Sequence, residues 1–115
     1  MRTMLKSKLK NLKVTETELF YEGSITIDEA LMEASDILPG EKVEVLDVNN
    51  GARISTYAIK GKRDSGIICM NGPAARLVYK HDIIMVLSYV LLDDDKAKTH
   101  EGVAIAVDEN NRIKS

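Results

Sequence analysis

Asn49-Asn50-Gly51 separates two strand-like runs, and this arrangement narrows the fold more than any other stretch of the chain. Lys42 to Val48 alternates roughly with period two, and Ala52 to Ile59 has the composition to return beside it as a hairpin. Turn signals punctuate the rest in the same way. Met4 to Val14 partly alternates, Gly66 to Met70 and Ile83 to Leu92 read as strands, and Val103 to Val107 offers a last one. Asn71-Gly72-Pro73 is a break, followed by a short helical turn at Ala74 to Val78. Asp93-Asp94-Asp95 starts a polar turn or short helix, and residues 108–115 read as a solvated tail. The best helix follows Ser24: Thr26 and Glu29 have capping-box spacing, and Ile27, Ala30, Leu31 and Ala34 form a helical stripe that Pro39-Gly40 ends. Many short strands with one or two small helices predict a mainly β fold, a small β-barrel.

Length allows one domain over residues 1–115, large enough for a core without disulfide or metal staples. No apolar run approaches the 18 or so residues of a membrane span. Arg2, Lys6, Lys8, Lys10 and Lys13 precede no apolar stretch, so no secretory signal is expected and a cytoplasmic home follows by default. A net charge of -2, one phenylalanine and no tryptophan argue against a nucleic-acid binder, which needs basic excess and stacking platforms. Most of the N-terminal lysines read as the solvated face of an edge strand. Cys69, the only cysteine, sits in a strand-like setting and reads as a buried structural thiol.

Familiar catalytic and metal patterns are missing. His81 and His100 have no partner at ligand spacing, and the seven glycines form no phosphate-cradling run. One dipeptide has chemistry of its own. In Gly23-Ser24 the serine hydroxyl can attack the preceding carbonyl, convert the amide to an ester and lose that ester by elimination, leaving a pyruvoyl group as an electrophile. Gly-Ser pairs occur about once per 200 residues by chance, and the competing reading is a turn entering a helix.

Three separated motifs bear on that choice. Tyr21-Glu22-Gly23-Ser24, Asn50-Gly51-Ala52-Arg53-Ile54-Ser55-Thr56-Tyr57-Ala58-Ile59 and Asn71-Gly72-Pro73-Ala74-Ala75, with the opening Met1-Arg2-Thr3-Met4-Leu5-Lys6-Ser7-Lys8-Leu9, resemble the pyruvoyl-dependent aspartate 1-decarboxylases that make β-alanine for pantothenate synthesis. The resemblance implies a double-psi β-barrel, usually a homotetramer. It also implies a precursor cleaved between Gly23 and Ser24 into residues 1–23 and 24–115, in some cases with a maturation factor. The covalent pyruvoyl group from Ser24 would condense with the amine of L-aspartate and act as electron sink.

Roles for single residues come from the same resemblance. Thr56 assists processing and contacts substrate, and Tyr57 donates the proton that replaces the departing carboxylate. Asn71 supplies an amide donor. Arg53 and Lys8 hold the substrate carboxylates, one as a bidentate fork and one as a point charge. Gly72, Pro73 and Ala74 form the substrate-contacting turn, where Pro73 departs from the alanine of some relatives and lacks an N–H. In a regular strand Thr56 and Tyr57 point to opposite faces, which a bend or subunit boundary would have to reconcile. Two other readings stay open: a non-enzymatic barrel module, and a pyruvoyl decarboxylase for another acidic amino acid.

Overall fold

In the computed structural model, which describes residues 1–114, eight strands form one sheet. They are β1 (Arg2–Lys13), β2 (Glu16–Glu18), β3 (Ser24–Asp28), β4 (Lys42–Asp47), β5 (Arg53–Gly61), β6 (Ile68–Asn71), β7 (Ile83–Leu92) and β8 (Val103–Ala106). Two short helices, α1 (Glu29–Ser35) and α2 (Asp94–Thr99), and a 3₁₀ turn at Gly72–Arg76 complete the fold. The strand order is β2-β6-β3-β5-β4-β7-β1-β8. Three of its pairings are parallel, β1 with β8, β2 with β6 and β3 with β5, so the chain crosses over itself instead of meandering.

The expected hairpin forms as β4 and β5. The Asp47 carboxylate accepts the N–H groups of Asn49 and Asn50, and Gly51, at φ +78°, supplies the left-handed residue the turn requires. Val43 and Val45 then point inward together with Leu9 of β1 and Val86 of β7. These join Leu12, Ile25, Ile27, Leu31, Ile68, Met70 and Ile84, each at most 1% exposed, in one core. At about 25 cal/mol per Å² of apolar surface, that burial is the main force holding the sheet over its core.

Two expectations need correction. β1 is an interior strand, flanked by β7 and β8, not an edge. Its lysines alternate with the inward Ser7 and Leu9, and the imperfect period is explained by register shifts between Leu5 and Ser7 and between Leu9 and Leu12, with Asn11 at φ +64° in the second. Thr26 and Ile27 are not a helix start either. Both lie in β3, which pairs with β5 on one side and β6 on the other, and these ladders outweigh the local capping signal. Asp28 caps α1 instead, its carboxylate taking the N–H groups of Ala30, Asp64 and Gly66. The helix stops at Asp36, in the left-handed conformation, before Pro39 is reached.

Candidate active site

Ser24 begins β3 opposite Asn71, the last residue of β6, and two residues on Thr26 faces Cys69. Because alternate residues share a face, these four side chains form one patch. The Asn71 amide nitrogen donates to Ser24 Oγ and to Thr26 Oγ1, each at 2.9 Å, while its oxygen accepts from Cys69 Sγ at 3.2 Å. Ser24 is 1% exposed, Asn71 3% and Cys69 4%. Burial, with Glu16 and Glu18 nearby, pushes the Cys69 thiol up to about 11, so at neutral pH it keeps the proton it donates.

Gly72 explains how the turn after Asn71 reaches the Gly23–Ser24 junction. It sits at φ +72°, and a Cβ there would stand 2.7 Å from the Tyr21 carbonyl oxygen and 2.9 Å from both the nitrogen and Cα of Gly23. Only glycine permits that approach. Pro73 follows at the first turn of the 3₁₀ segment, where its missing N–H costs nothing.

Gly23, Pro73, Ala74 and Leu77 form one wall of a cavity of about 410 Å³, and Ile54, Ser55, Thr56 and Tyr57 form the other. The cavity exists because β5 pairs with β3 only from Ala58 onward, leaving its first half with a free edge. At a free edge, side chains of both faces border the opening. Thr56 is half-buried and Tyr57 is 38% exposed, on opposite faces as alternation demands, yet both line the same space.

The two cations lie elsewhere. Arg53 is exposed at the start of β5, opposite Leu46, and does not line the cavity. Lys8 stands on β1, three strands from β5, in the row Lys8, Leu87, Glu44, Ser55. At about 4.8 Å per strand this is roughly 14 Å from β5, beyond the reach of a lysine. Among the described residues neither Lys8 nor Arg53 makes an ion pair. Sequence reasoning overlooked Thr26, Cys69, Ile54 and Leu77. The i, i+2 spacing of Ser24 and Thr26 was the available signal, hidden once the segment was read as a helix start.

Taken together, a small crossed-over barrel and a Gly–Ser junction whose serine is buried, beside a half-open cavity, define a mainly β protein with a polar patch around Ser24. A rationally designed double-psi β-barrel protein, mkDPBB_sym_86, superposes with a TM-score of 0.50 at 19% identity, covering 71% of this chain and 95% of its own, which establishes the fold. The sequence model of aspartate decarboxylase matches residues 1–114, and the chain belongs to that family. It is 56% identical to the aspartate 1-decarboxylase of Syntrophus aciditrophicus (strain SB), over 98% of this chain and 97% of the relative. The protein of the same name from Thermoanaerobacter pseudethanolicus is 57% identical, over 96% and 95%, and that from Cytophaga hutchinsonii 53%, over 96% of each.

Proposed function

We propose that this chain converts L-aspartate to β-alanine and carbon dioxide, for pantothenate synthesis in the cytoplasm, with a pyruvoyl group made from Ser24. The observation that carries the proposal is Ser24 Oγ, buried and held by Asn71 Nδ2 at 2.9 Å, directly behind the Gly23 that walls the cavity. Family membership supplies the reaction.

In maturation, Ser24 Oγ attacks the Gly23 carbonyl carbon, the Gly23–Ser24 C–N bond breaks, and the hydroxyl proton passes to the freed amine. Loss of the Ser24 Cα proton then expels Gly23 as a carboxylate, and the remaining dehydroalanine takes up water and releases ammonia. An N–H donated to Oγ favours the alkoxide character that attack requires. Thr56, across the cavity from Gly23, is assigned the hydroxyl that stabilises the oxyanion at the Gly23 carbonyl.

The residues present suit the mature group. A pyruvoyl has only acceptor oxygens, and Asn71 offers N–H donors at this position. When formed, the group supplies an electron sink for the bond pair left by the departing carboxylate. Tyr57, at the cavity rim, delivers the replacing proton to the substrate α-carbon. Gly72 and Ala74 let the substrate approach backbone, while Pro73 contributes only its ring and carbonyl. Arg53, outside the cavity lining of its own chain, is assigned one substrate carboxylate. Lys8 reaches the site from a second copy, because in its own chain three strand spacings intervene. We therefore assign a homotetramer whose cavities are completed at subunit boundaries. Phe20, 99% exposed, and Tyr21 and Leu77, 58% and 49%, are apolar groups near each cavity available for such a boundary.

Intact mass spectrometry tests the proposal. Purified chain, warmed and supplied with any maturation partner, should yield fragments 1–23 and 24–115, the longer bearing a pyruvoyl terminus, and should form β-alanine from aspartate. A chain that stays whole defeats it.

A further inference from the structure

The side-chain amide of Asn71 has two orientations of nearly equal shape, and only one serves Ser24. In the observed orientation its nitrogen faces Ser24 and Thr26 and its oxygen faces Cys69. Rotated by half a turn, the amide would set its oxygen against Ser24 Oγ. The hydroxyl proton would be tied to that oxygen, and the charge developing on Oγ during attack would meet a lone pair instead of an N–H. Ser24 by itself does not choose, since a hydroxyl both donates and accepts.

Resting on the self-cleavage reading, we propose that Cys69 and Thr26 are positioning residues that fix the Asn71 amide so that its N–H, not its oxygen, faces Ser24. Cys69 is the selector. Its sulfur accepts hydrogen bonds weakly, so the S–H is satisfied by the Asn71 oxygen and poorly by its nitrogen. Thr26, a hydroxyl like Ser24, does not choose alone, but its Oγ1 takes the other N–H in the chosen orientation and leaves no amide hydrogen of Asn71 without a partner. The strand register makes the arrangement rigid. Ser24 opposes Asn71 and Thr26 opposes Cys69 across one antiparallel ladder, so no loop motion separates the four groups. Glu16 and Glu18 of β2, the strand paired with β6, face Cys69 with negative charge and help keep the thiol protonated.

The test is the rate at which freshly made chain is cut, followed by intact mass, in variants that keep or remove each polar contact. Thr26→Ser preserves its contact and should cut at close to the parent rate, while Cys69→Ser, whose hydroxyl accepts as well as donates, should fall between the parent and Cys69→Ala. Cys69→Ala and Thr26→Val should slow cutting by on the order of tenfold, the factor that about 1.4 kcal/mol of lost orientation produces. Their thermal unfolding, measured on the same chains in a Ser24→Ala background, should show folded protein. Thr26→Val is nearly isosteric, so it remains informative if Cys69→Ala is unstable. Equal rates for parent, Cys69→Ala and Thr26→Val overturn the positioning role while leaving self-cleavage intact. Slowing by Thr26→Ser as much as by Thr26→Val also overturns it, since that pattern reports packing and not orientation. A parent chain that never cuts defeats the self-cleavage reading itself, and the positioning role with it.

Discussion

Gly72 shows how much one absent methyl group decides. A Cβ at that position meets three backbone atoms of residues 21–23 at under 3 Å and also faces a positive φ, so nothing flexible yields. Gly72→Ala should lower stability by roughly 1–3 kcal/mol, seen in denaturant unfolding, and should slow or abolish cutting because the Gly23 carbonyl shifts away from Ser24. Asp47 presents the opposite case. It is 2% exposed, its Oδ2 has no hydrogen-bond partner, and burial together with nearby Asp82 raises its pKa above the ordinary carboxylate value. A raised folded value means the ionised carboxylate weakens the fold at neutral pH, and the weakening vanishes below about pH 4, where the group is protonated in either state. Asp47→Asn keeps an acceptor for Asn49 and Asn50 and offers Asp82 a donor, so its melting temperature should exceed the parent's at pH 7, with the gap closing in acid. Neither feature was legible in the sequence. Gly72 read as a turn residue, and the closeness of Asp47 to Asp82 depends on pairing between distant strands.

At the level of elements, the sequence showed the hairpin and the long strand Ile83–Leu92 because their apolar pattern and turn residues agree with the final sheet. β3 failed that test. Buried on both faces, it has no alternation to read, and the cap signal at Thr26 pointed to a helix that starts three residues later. Ser24, singled out by the chemistry of Gly-Ser, and Asn71, named from the family resemblance, did not depend on that reading, whereas their contacts with Thr26 and Cys69 needed the register. The loop between α1 and β4 is fastened by Glu41, whose carboxylate accepts from Lys6 at 3.0 Å, from Ser88 at 2.5 Å and from the Leu38 N–H at 3.0 Å. Burial alone would raise the Glu41 pKa, but Ser88, Leu38 and Lys6 outweigh it and hold it below the ordinary value. A depressed folded value contributes stability that is present above the unfolded value, near 4.5, and lost as pH falls through the folded one. Glu41→Gln should therefore be less stable than the parent at pH 7 and differ little from it under strongly acid conditions, as thermal melts across pH will show.

For the whole molecule, composition and punctuation were enough for a mainly β barrel, but the crossed connections of the double-psi form came from the resemblance. Parallel pairs such as β3 with β5 join residues too far apart in sequence for local pattern to register. The same crossing places β1 inside the sheet, between β7 and β8 at Leu9, with Leu9 and Leu12 wholly buried. Cleavage after Gly23 would thus leave the first 23 residues woven into the barrel without any covalent link to it. The intact precursor refolds as a unimolecular process, whereas the matured protein must find a separate peptide before its longest strand exists. After denaturation and dilution, recovery of the cut protein should fall as its concentration is lowered, while Ser24→Ala, which stays in one piece, should recover its barrel independently of concentration apart from subunit assembly. Circular dichroism of the two, refolded side by side over a dilution series, measures the difference. Maturation would give the protein its electrophile and at the same step make its fold a one-way product of synthesis.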